Sequence, residues 1–315
     1  MYSTLRQLVD RLIWLPRYPV FREAPIRFAA RAISFTLREK LGSAGEVDFK
    51  TDDGHVFASP PDNISSFIAA VFGQRDLHVY RFWRRLLPSG TVFIDVGANI
   101  GLYSVPAGAI VGLHGAVICF EANPSTYRYL LRNLSRNRRA NAIAENVAVG
   151  ADSGEVRITR QTRNIGEVHV AAAGETGEVV PMVTLDGYCA EHGIARVDYL
   201  KVDVEGYEAS VLRGSEWVLR VNPDILVQTE YEPRHLARYG DPGEMERILI
   251  GHGLRPFALA WADGTASPIA SLDGYQGEIL WSRRDLSAPL EASAKDRRIR
   301  DGWVDRVTTG IDQGT

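Results

Sequence analysis

Thr91-Val92-Phe93-Ile94-Asp95-Val96-Gly97-Ala98-Asn99-Ile100-Gly101 begins as a strand and ends as a turn. Apolar and β-branched residues run without a charge up to Asp95, the pattern of a buried strand. Gly97 and Gly101 then turn the chain into a helix-like run from Leu102 to Val111. Glycine has no Cβ, so a turn built on it lets the backbone come close to a ligand at a helix N-terminus. A strand that ends in an acid and a glycine turn and then feeds a helix makes a nucleotide-type cofactor site. The plainer reading is an ordinary strand–turn–helix.

The spacing Asp-x-Gly-x-x-x-Gly separates two kinds of cofactor. Dinucleotide enzymes use Gly-x-Gly-x-x-Gly, which sets helix amides under a pyrophosphate. Here Asp95 stands just ahead of the first glycine. A carboxylate there repels phosphate and attracts a cationic amino-acid group. S-adenosylmethionine carries an α-ammonium and a sulfonium and no phosphate, so it suits this spacing.

Outward from this stretch, strands and helices alternate. Strand Ala116–Glu121 precedes helix Ser125–Asn137, and strand Ala142–Val149 follows. Residues 154–184 interrupt the rhythm with short alternating runs. Helix 184–192, strand Val197–Val204, helix Tyr207–Leu219, strand Ile225–Glu230 and helix Gly243–His252 resume it, and runs 254–261 and 276–282 close as strands. Such alternation predicts an α/β fold with a doubly wound parallel sheet. Ahead of it, residues 46–60 read as a small hairpin, and 63–71 and 76–87 as helices.

Ligands of such a sheet bind at the carboxyl ends of its strands. The first end offers Asp95, Gly97, Asn99 and Gly101. The second offers Glu121 and Asn123; Glu121 falls roughly twenty residues beyond the glycine loop, where an acid accepts hydrogen bonds from ribose hydroxyls. The third offers Asn146 and Ala148 near an adenine. The fourth, Lys201-Val202-Asp203-Val204-Glu205-Gly206, puts Lys201, Asp203 and Glu205 on one strand face by period two. Charges on a buried strand need partners or a function, and a structural Lys201–acid pair competes with a catalytic role. Glu230 ends the fifth strand, and His235, shortly after, carries little weight alone.

Asp95-Val-Gly-Ala-Asn-Ile-Gly101, Phe120-Glu-Ala-Asn-Pro124, Val183-Thr-Leu-Asp186 and Lys201-Val-Asp-Val-Glu-Gly206 occur in that order. Together they resemble the FkbM family of S-adenosylmethionine-dependent methyltransferases over roughly residues 60–235. The resemblance implies a Rossmann-like class I methyltransferase sheet of about seven strands with an antiparallel last strand. It implies O-methylation of a sugar, glycan or secondary metabolite. It assigns the Asp95–Gly101 loop to the methionine part, Glu121 to the ribose, and the Asp203–Glu205 stretch to the transferred methyl. Asp203 is the first choice for a base or acceptor-orienting residue, with Glu205 and Glu230 behind it. These carboxylates could instead hold a divalent cation; no metal is assigned. The family more often has Glu-Pro where this chain has Glu121-Ala122. A nucleotide-sugar or nicotinamide enzyme would share the fold but lacks its phosphate-binding glycines here, and an inactive adaptor would not need intact Asp95, Glu121 and Asp203.

The whole chain sets further bounds. With 315 residues, 45% hydrophobic and 24% charged, it reads as a globular protein, and its net charge of −3 gives no global field for nucleic acid. Cys119 and Cys189 are its two cysteines, and arginines interrupt every N-terminal apolar run, so a cytoplasmic protein is expected. Residues 1–60 form an N-terminal helical extension and hairpin, 61–282 the methyltransferase domain, and 283–315 a polar tail. The arginine-rich residues 1–40, broken by Pro16, Pro19 and Pro25, read as a basic amphipathic segment on a membrane surface or as a helical lid; the short, proline-broken pattern favours the lid.

Overall fold

The computed structural model describes residues 2–41, 46–61, 63–74, 76–160, 168–171, 175–261 and 263–287. Helices α1 (Tyr2–Trp14) and α2 (Pro25–Leu41) open the chain. Pro16, Pro19 and Pro25 each fall in the first two residues of an element, two of them short 3-10 turns. Proline is tolerated there because its missing N–H has no helical partner in any case. The prolines therefore partition the segment rather than ending its helicity, and α2 runs for 17 residues.

Hairpin β1 (Val47–Lys50) and β2 (Val56–Ser59) follows, then α3 (Ile64–Phe72) and α4 (Leu77–Leu86). Asn63 caps α3, its side-chain oxygen accepting from the Ser66 amide at 2.8 Å. Phe28 and Phe35 of α2, Phe49 and Phe57 of the hairpin and Phe67 of α3 join Phe93 and Val117 in one core. The extension thus shares its packing with the rest of the fold, and residue 60 is no boundary within that core.

The alternating part comprises β3 (Val92–Val96), α5 (Ser104–Val111), β4 (Ala116–Phe120), α6 (Pro124–Arg136) and β5 (Ala142–Glu145). After it come β6 (Ala148–Val149), β7 (Gly154–Arg160), β8 (Val168–Val170), β9 (Glu178–Val183) and α7 (Leu185–Glu191). The chain continues as β10 (Tyr199–Val202), α8 (Glu208–Arg213), α9 (Glu216–Val221), β11 (Leu226–Tyr231), α10 (Pro233–Leu236) and α11 (Glu244–Gly251). Strands β12 (Arg255–Leu259), β13 (Ala266–Pro268) and β14 (Gly277–Ser282) finish it.

Among the described residues, the main sheet has eight strands in the order β13-β12-β14-β11-β10-β3-β4-β5. β5, β4, β3, β10 and β11 are parallel, and β14 runs antiparallel between β11 and β12. The strand beyond the expected seven is β13, a three-residue edge piece paired with β12. Helices and loops cover both faces. Phe93, Val117 and Tyr199 point into one core, and Ile94, Ile118 and Leu200 into the other.

Two expected elements are divided. The strand read as Ala142–Val149 bends after Glu145, where the Asn146 side-chain amide donates to the Glu121 and Ala122 carbonyls at 2.7 and 3.1 Å. Its second piece, β6, joins a separate sheet of order β6-β9-β7-β8. The helix read as Tyr207–Leu219 breaks at Gly214. A Cβ there would lie 2.0 Å from the Gly150 carbonyl oxygen, and the Asp186 carboxylate caps α9 by accepting from the Trp217 and Val218 amides. At the C-terminal end, Arg283 donates to the carbonyls of Leu219, Asn222 and His252, and Leu286 is buried. The expected tail therefore does not begin at 283; its residues 288–315 lie outside the described residues.

Asn133 on α6 joins three parts of this fold. Its amide exchanges two hydrogen bonds with the Ala58 backbone, at 2.7 and 3.0 Å, and donates to the Ile100 carbonyl at 2.9 Å. Each buried group left unpaired costs about 1–3 kcal/mol. Asn133→Ala should therefore lower unfolding free energy by at least that much in urea titration. A midpoint equal to wild type would show that water replaces the amide there.

Candidate active site

The carboxyl ends of β3, β4, β10 and β11 open onto one cavity. Strand order reverses between β3 and β10, which leaves a crevice at that edge. Val96 to Asn99 of the glycine turn, Phe120 to Ala122 after β4, and Asp203 to Glu205 after β10 line it, with Glu230 of β11. Val147 to Val149 follow the bend after β5. Ile158, His169 and Val170 of the second sheet form a further wall, with Ser65 and Tyr103 from the N-terminal side.

Glu121 is fixed from two directions. One carboxylate oxygen accepts from the Asn99 amide and the other from the Asn123 amide, both at 2.8 Å. Burial raises its pKa to about 7, and the two amides oppose the rise. Asn99 takes a left-handed φ of 51°, and its side-chain oxygen accepts from the Ile100 amide at 2.8 Å, which holds that turn.

The two glycines serve different contacts. A Cβ on Gly97 would stand 1.9 Å from the Asp203 carbonyl oxygen, so this glycine lets the β3 turn press against the β10 turn. A Cβ on Gly101 would meet Leu130 at 3.0 Å, away from the cavity wall.

Beneath the crevice lies a buried ion network. Parallel register sets Lys201 directly beside Asp95, both on the face that carries Phe93 and Tyr199. Lys201 is 1% exposed; its Nζ is 3.0 Å from Asp203 Oδ2, 3.7 Å from Asp95 Oδ1 and 4.4 Å from the centre of the Tyr103 ring. Burial works against the ammonium, but Asp203 and then Asp95 outweigh it and raise its pKa. Burial raises the Asp95 pKa, offset in part by Lys201 and by a hydrogen bond from the Ser104 hydroxyl at 2.6 Å. Glu278 on β14 accepts from the Gln228 amide at 2.7 Å, and burial, then Asp76 and Asp203, push its pKa to about 8.

Of the residues singled out from sequence, Gly97, Asn99, Glu121, Asp203, Glu205 and Glu230 meet on the cavity wall. Asp95, Gly101, Asn123 and Asn146 stand behind it as supports, each through contacts given above. His235, which carried little weight alone, comes to 3.3 Å from Glu205 Oε2. Glu208 was missed. Its Oε1 accepts from the Val204 and Gly206 amides at 3.0 and 3.2 Å, pinning the turn that carries Glu205. An acid at the start of a helix, three residues past Glu205, was the available signal.

A sheet whose order reverses at β3 and β10, with an antiparallel β14 set inside the last parallel strand, is that of a Rossmann-like class I methyltransferase, and this chain has that fold. Residues 95–256 match the methyltransferase FkbM domain, and the chain belongs to that family. The 31-O-demethyl-FK506 methyltransferase FkbM of Streptomyces tacrolimicus is 28% identical over 201 residues, covering 53% of this chain and 74% of that protein. Methyltransferase 1 of Beauveria bassiana is 27% identical over 187 residues, 52% of this chain and 73% of that one. The hexuronic acid methyltransferase AglP of Haloferax volcanii is 26% identical over 137 residues, 44% and 55%. Among solved structures, the O-methyltransferase TomG of Streptomyces achromogenes aligns at 12% identity with a TM-score of 0.39, over 65% of this chain and 78% of that one. Among the described residues, no helix is long and apolar enough to cross a membrane.

Glu208 gives the site a pH signature. Burial raises its pKa from 4.5 to about 7, so the folded state holds a proton that the unfolded state releases. The stability this adds is complete below about pH 4.5 and lost as pH rises through about 7. In Glu208→Gln the amide oxygen can accept the same two N–H groups without ionising. Between pH 4.5 and 7, wild type should lose on the order of 3 kcal/mol relative to the variant, read by urea unfolding at several pH values. Parallel pH profiles would assign the proton elsewhere.

Proposed function

We propose that this chain transfers a methyl group from S-adenosylmethionine to a hydroxyl oxygen of a sugar, glycan or secondary metabolite. The charge of the cavity carries this reading. Glu121, Asp203, Glu205 and Glu230 line it, while Lys201 on its wall is already held between two carboxylates. Such a wall is complementary to an ammonium and a sulfonium and opposes the pyrophosphate of a nicotinamide or sugar nucleotide. The residues present also fit the uncharged parts. A carboxylate has about four acceptor positions, and two of those on Glu121 serve backbone amides, which leaves others for ribose hydroxyls. Phe120, Ala122, Ala148 and Ile158 provide apolar surface for an adenine.

When bound, S-adenosylmethionine supplies a methyl group already activated on a charged sulfur, so the protein's task is alignment. An alcohol is a weak nucleophile until it loses its proton. Asp203, Glu205 and Glu230 are the groups on the wall that can orient an acceptor hydroxyl and take that proton. Asp203 also neutralises Lys201, so its structural and chemical roles coincide. Two relatives, a 31-O-demethyl-FK506 methyltransferase and a hexuronic acid methyltransferase, support an oxygen acceptor and a sugar or secondary metabolite.

Calorimetric titration of the full chain with S-adenosylmethionine tests the reading; an absence of binding would refute it. Glu121→Ala should weaken binding by about 1–3 kcal/mol, the cost of unpaired hydrogen-bonding groups. An analogue lacking both ribose hydroxyls should bind wild type and variant alike. A penalty that persists with the analogue would make Glu121 a support of the turn and not a ribose ligand.

A further inference from the structure

We propose that Glu205, Glu230 and His235 bind a divalent metal ion at the acceptor side of the cavity. One donor atom from each lies within 4.8 Å of the other two. His235 Nδ1 is buried, makes no hydrogen bond, and faces Glu205 Oε2 at 3.3 Å. A neutral imidazole lone pair and a carboxylate oxygen repel unless positive charge stands between them, supplied by a proton on the ring or by a cation. Neighbouring ligands of an octahedral ion with bonds of 2.0–2.1 Å stand about 3 Å apart, close to the separation seen.

The three donors come from separate elements that are locked together. Glu205 follows β10 in a left-handed turn, φ 56°, tied down by Glu208. Glu230 lies on β11. His235 lies on α10, and its carbonyl packs on Gly206 so closely that a Cβ there would lie 2.3 Å from it. Gly206 thus brings the histidine against the turn that carries Glu205. Two carboxylates with one imidazole suit Mn²⁺, Fe²⁺ or Mg²⁺ and leave coordination positions for water or an acceptor oxygen. On the methyl-transfer reading, on which this role rests, the cation holds the acceptor hydroxyl and lowers its pKa. The carboxylates then act as ligands, and Asp203 is the nearby proton acceptor.

Mn²⁺ titration of the full chain, followed by electron paramagnetic resonance, is the test. Wild type should bind one Mn²⁺ whose pulsed echo is modulated by a nitrogen nucleus, which identifies the imidazole without any variant. His235→Ala and Glu230→Gln should each weaken binding by at least about tenfold while still melting cooperatively. No binding at millimolar Mn²⁺, an oxygen-only signal, or unchanged affinity in both variants would overturn the site. Titration of the same samples with S-adenosylmethionine keeps the two readings apart. Cofactor binding without Mn²⁺ refutes the metal alone; Mn²⁺ binding without the cofactor refutes the methyl donor alone.

A second feature, on α2, is independent of the cavity. Ile26, Ala30, Ile33, Leu37 and Leu41 are exposed, with Ile26 and Leu41 at 85% and 83%. Their spacing places them on one face along about four turns. Arg27, Arg38 and Lys40 are exposed beside this stripe. Residues 2–41 hold eight Lys and Arg against three Asp and Glu, in a chain of net charge −3. One of those acids, Glu39, is buried against Arg11. An apolar stripe bordered by long basic side chains matches a negative headgroup layer over hydrocarbon. We infer that α2 rests on an anionic membrane surface. The full chain should sediment with vesicles of phosphatidylcholine and phosphatidylserine, not with phosphatidylcholine alone. High salt and the double variant Ile33→Asp, Leu37→Asp should each release it, with the melting temperature of the variant unchanged. Equal sedimentation with both vesicle types, or with neither, overturns the inference. So does a dimer in light scattering that the double variant abolishes, which would put a second copy on the stripe.

Discussion

An ammonium sealed inside a sheet sets the terms for this molecule. Lys201 lies one residue short of the carboxyl end of β10, and removing its charge from water costs several kcal/mol unless partners stand beside it. Asp95 is its register neighbour on β3, and Asp203 is its neighbour two residues on. A slip of one residue on either strand would send one of these charges to the opposite, apolar face. The ion network therefore specifies which strands adjoin and in what register. The same register brings the β3 turn against the β10 turn, where Gly97 meets the Asp203 carbonyl. The crevice follows from that pairing.

Acids on the cavity wall and behind it extend the effect. Glu121, Glu208 and Glu278 are each pushed by burial to near-neutral pKa values, about 7, 7 and 8. A cation entering beside Glu121, the one of the three on the cavity wall, lowers its pKa. Association of a positively charged ligand near neutral pH is then accompanied by proton release, and its apparent affinity rises with pH. An anionic ligand would meet the reverse dependence.

Much of this was legible in the sequence because it rests on local chemistry. The glycine turn, Glu121 and the Asp203–Glu205 run each follow an apolar strand, so their positions at strand ends could be read from period and punctuation. What could not be read depends on contacts between distant residues. Asp95 and Gly101 belong to the same motif as Gly97, yet they face Ser104 and Leu130 and not the cavity. The break at Gly214 exists because Gly150, from another element, presses on it. His235 gains its place only through Gly206, and no spacing along the chain connects the two. The prolines of the N-terminal segment look like interruptions in the sequence, whereas each falls in the first two residues of an element.

The second sheet has a consequence for how such a molecule can diversify. It is spliced into the crossover between β5 and β10, and its residues Ile158, His169 and Val170 close one side of the cavity. Among the described residues, none of its strands pairs with the main sheet. This wall can lengthen, shrink or change its side chains while the register that holds Lys201 is preserved. Strand β6 shares the core of the main sheet through Val149, so the cavity-facing positions on β7 and β8 are where the crevice can be reshaped with least disturbance to the fold, and new acceptors can be explored by editing one panel of the molecule.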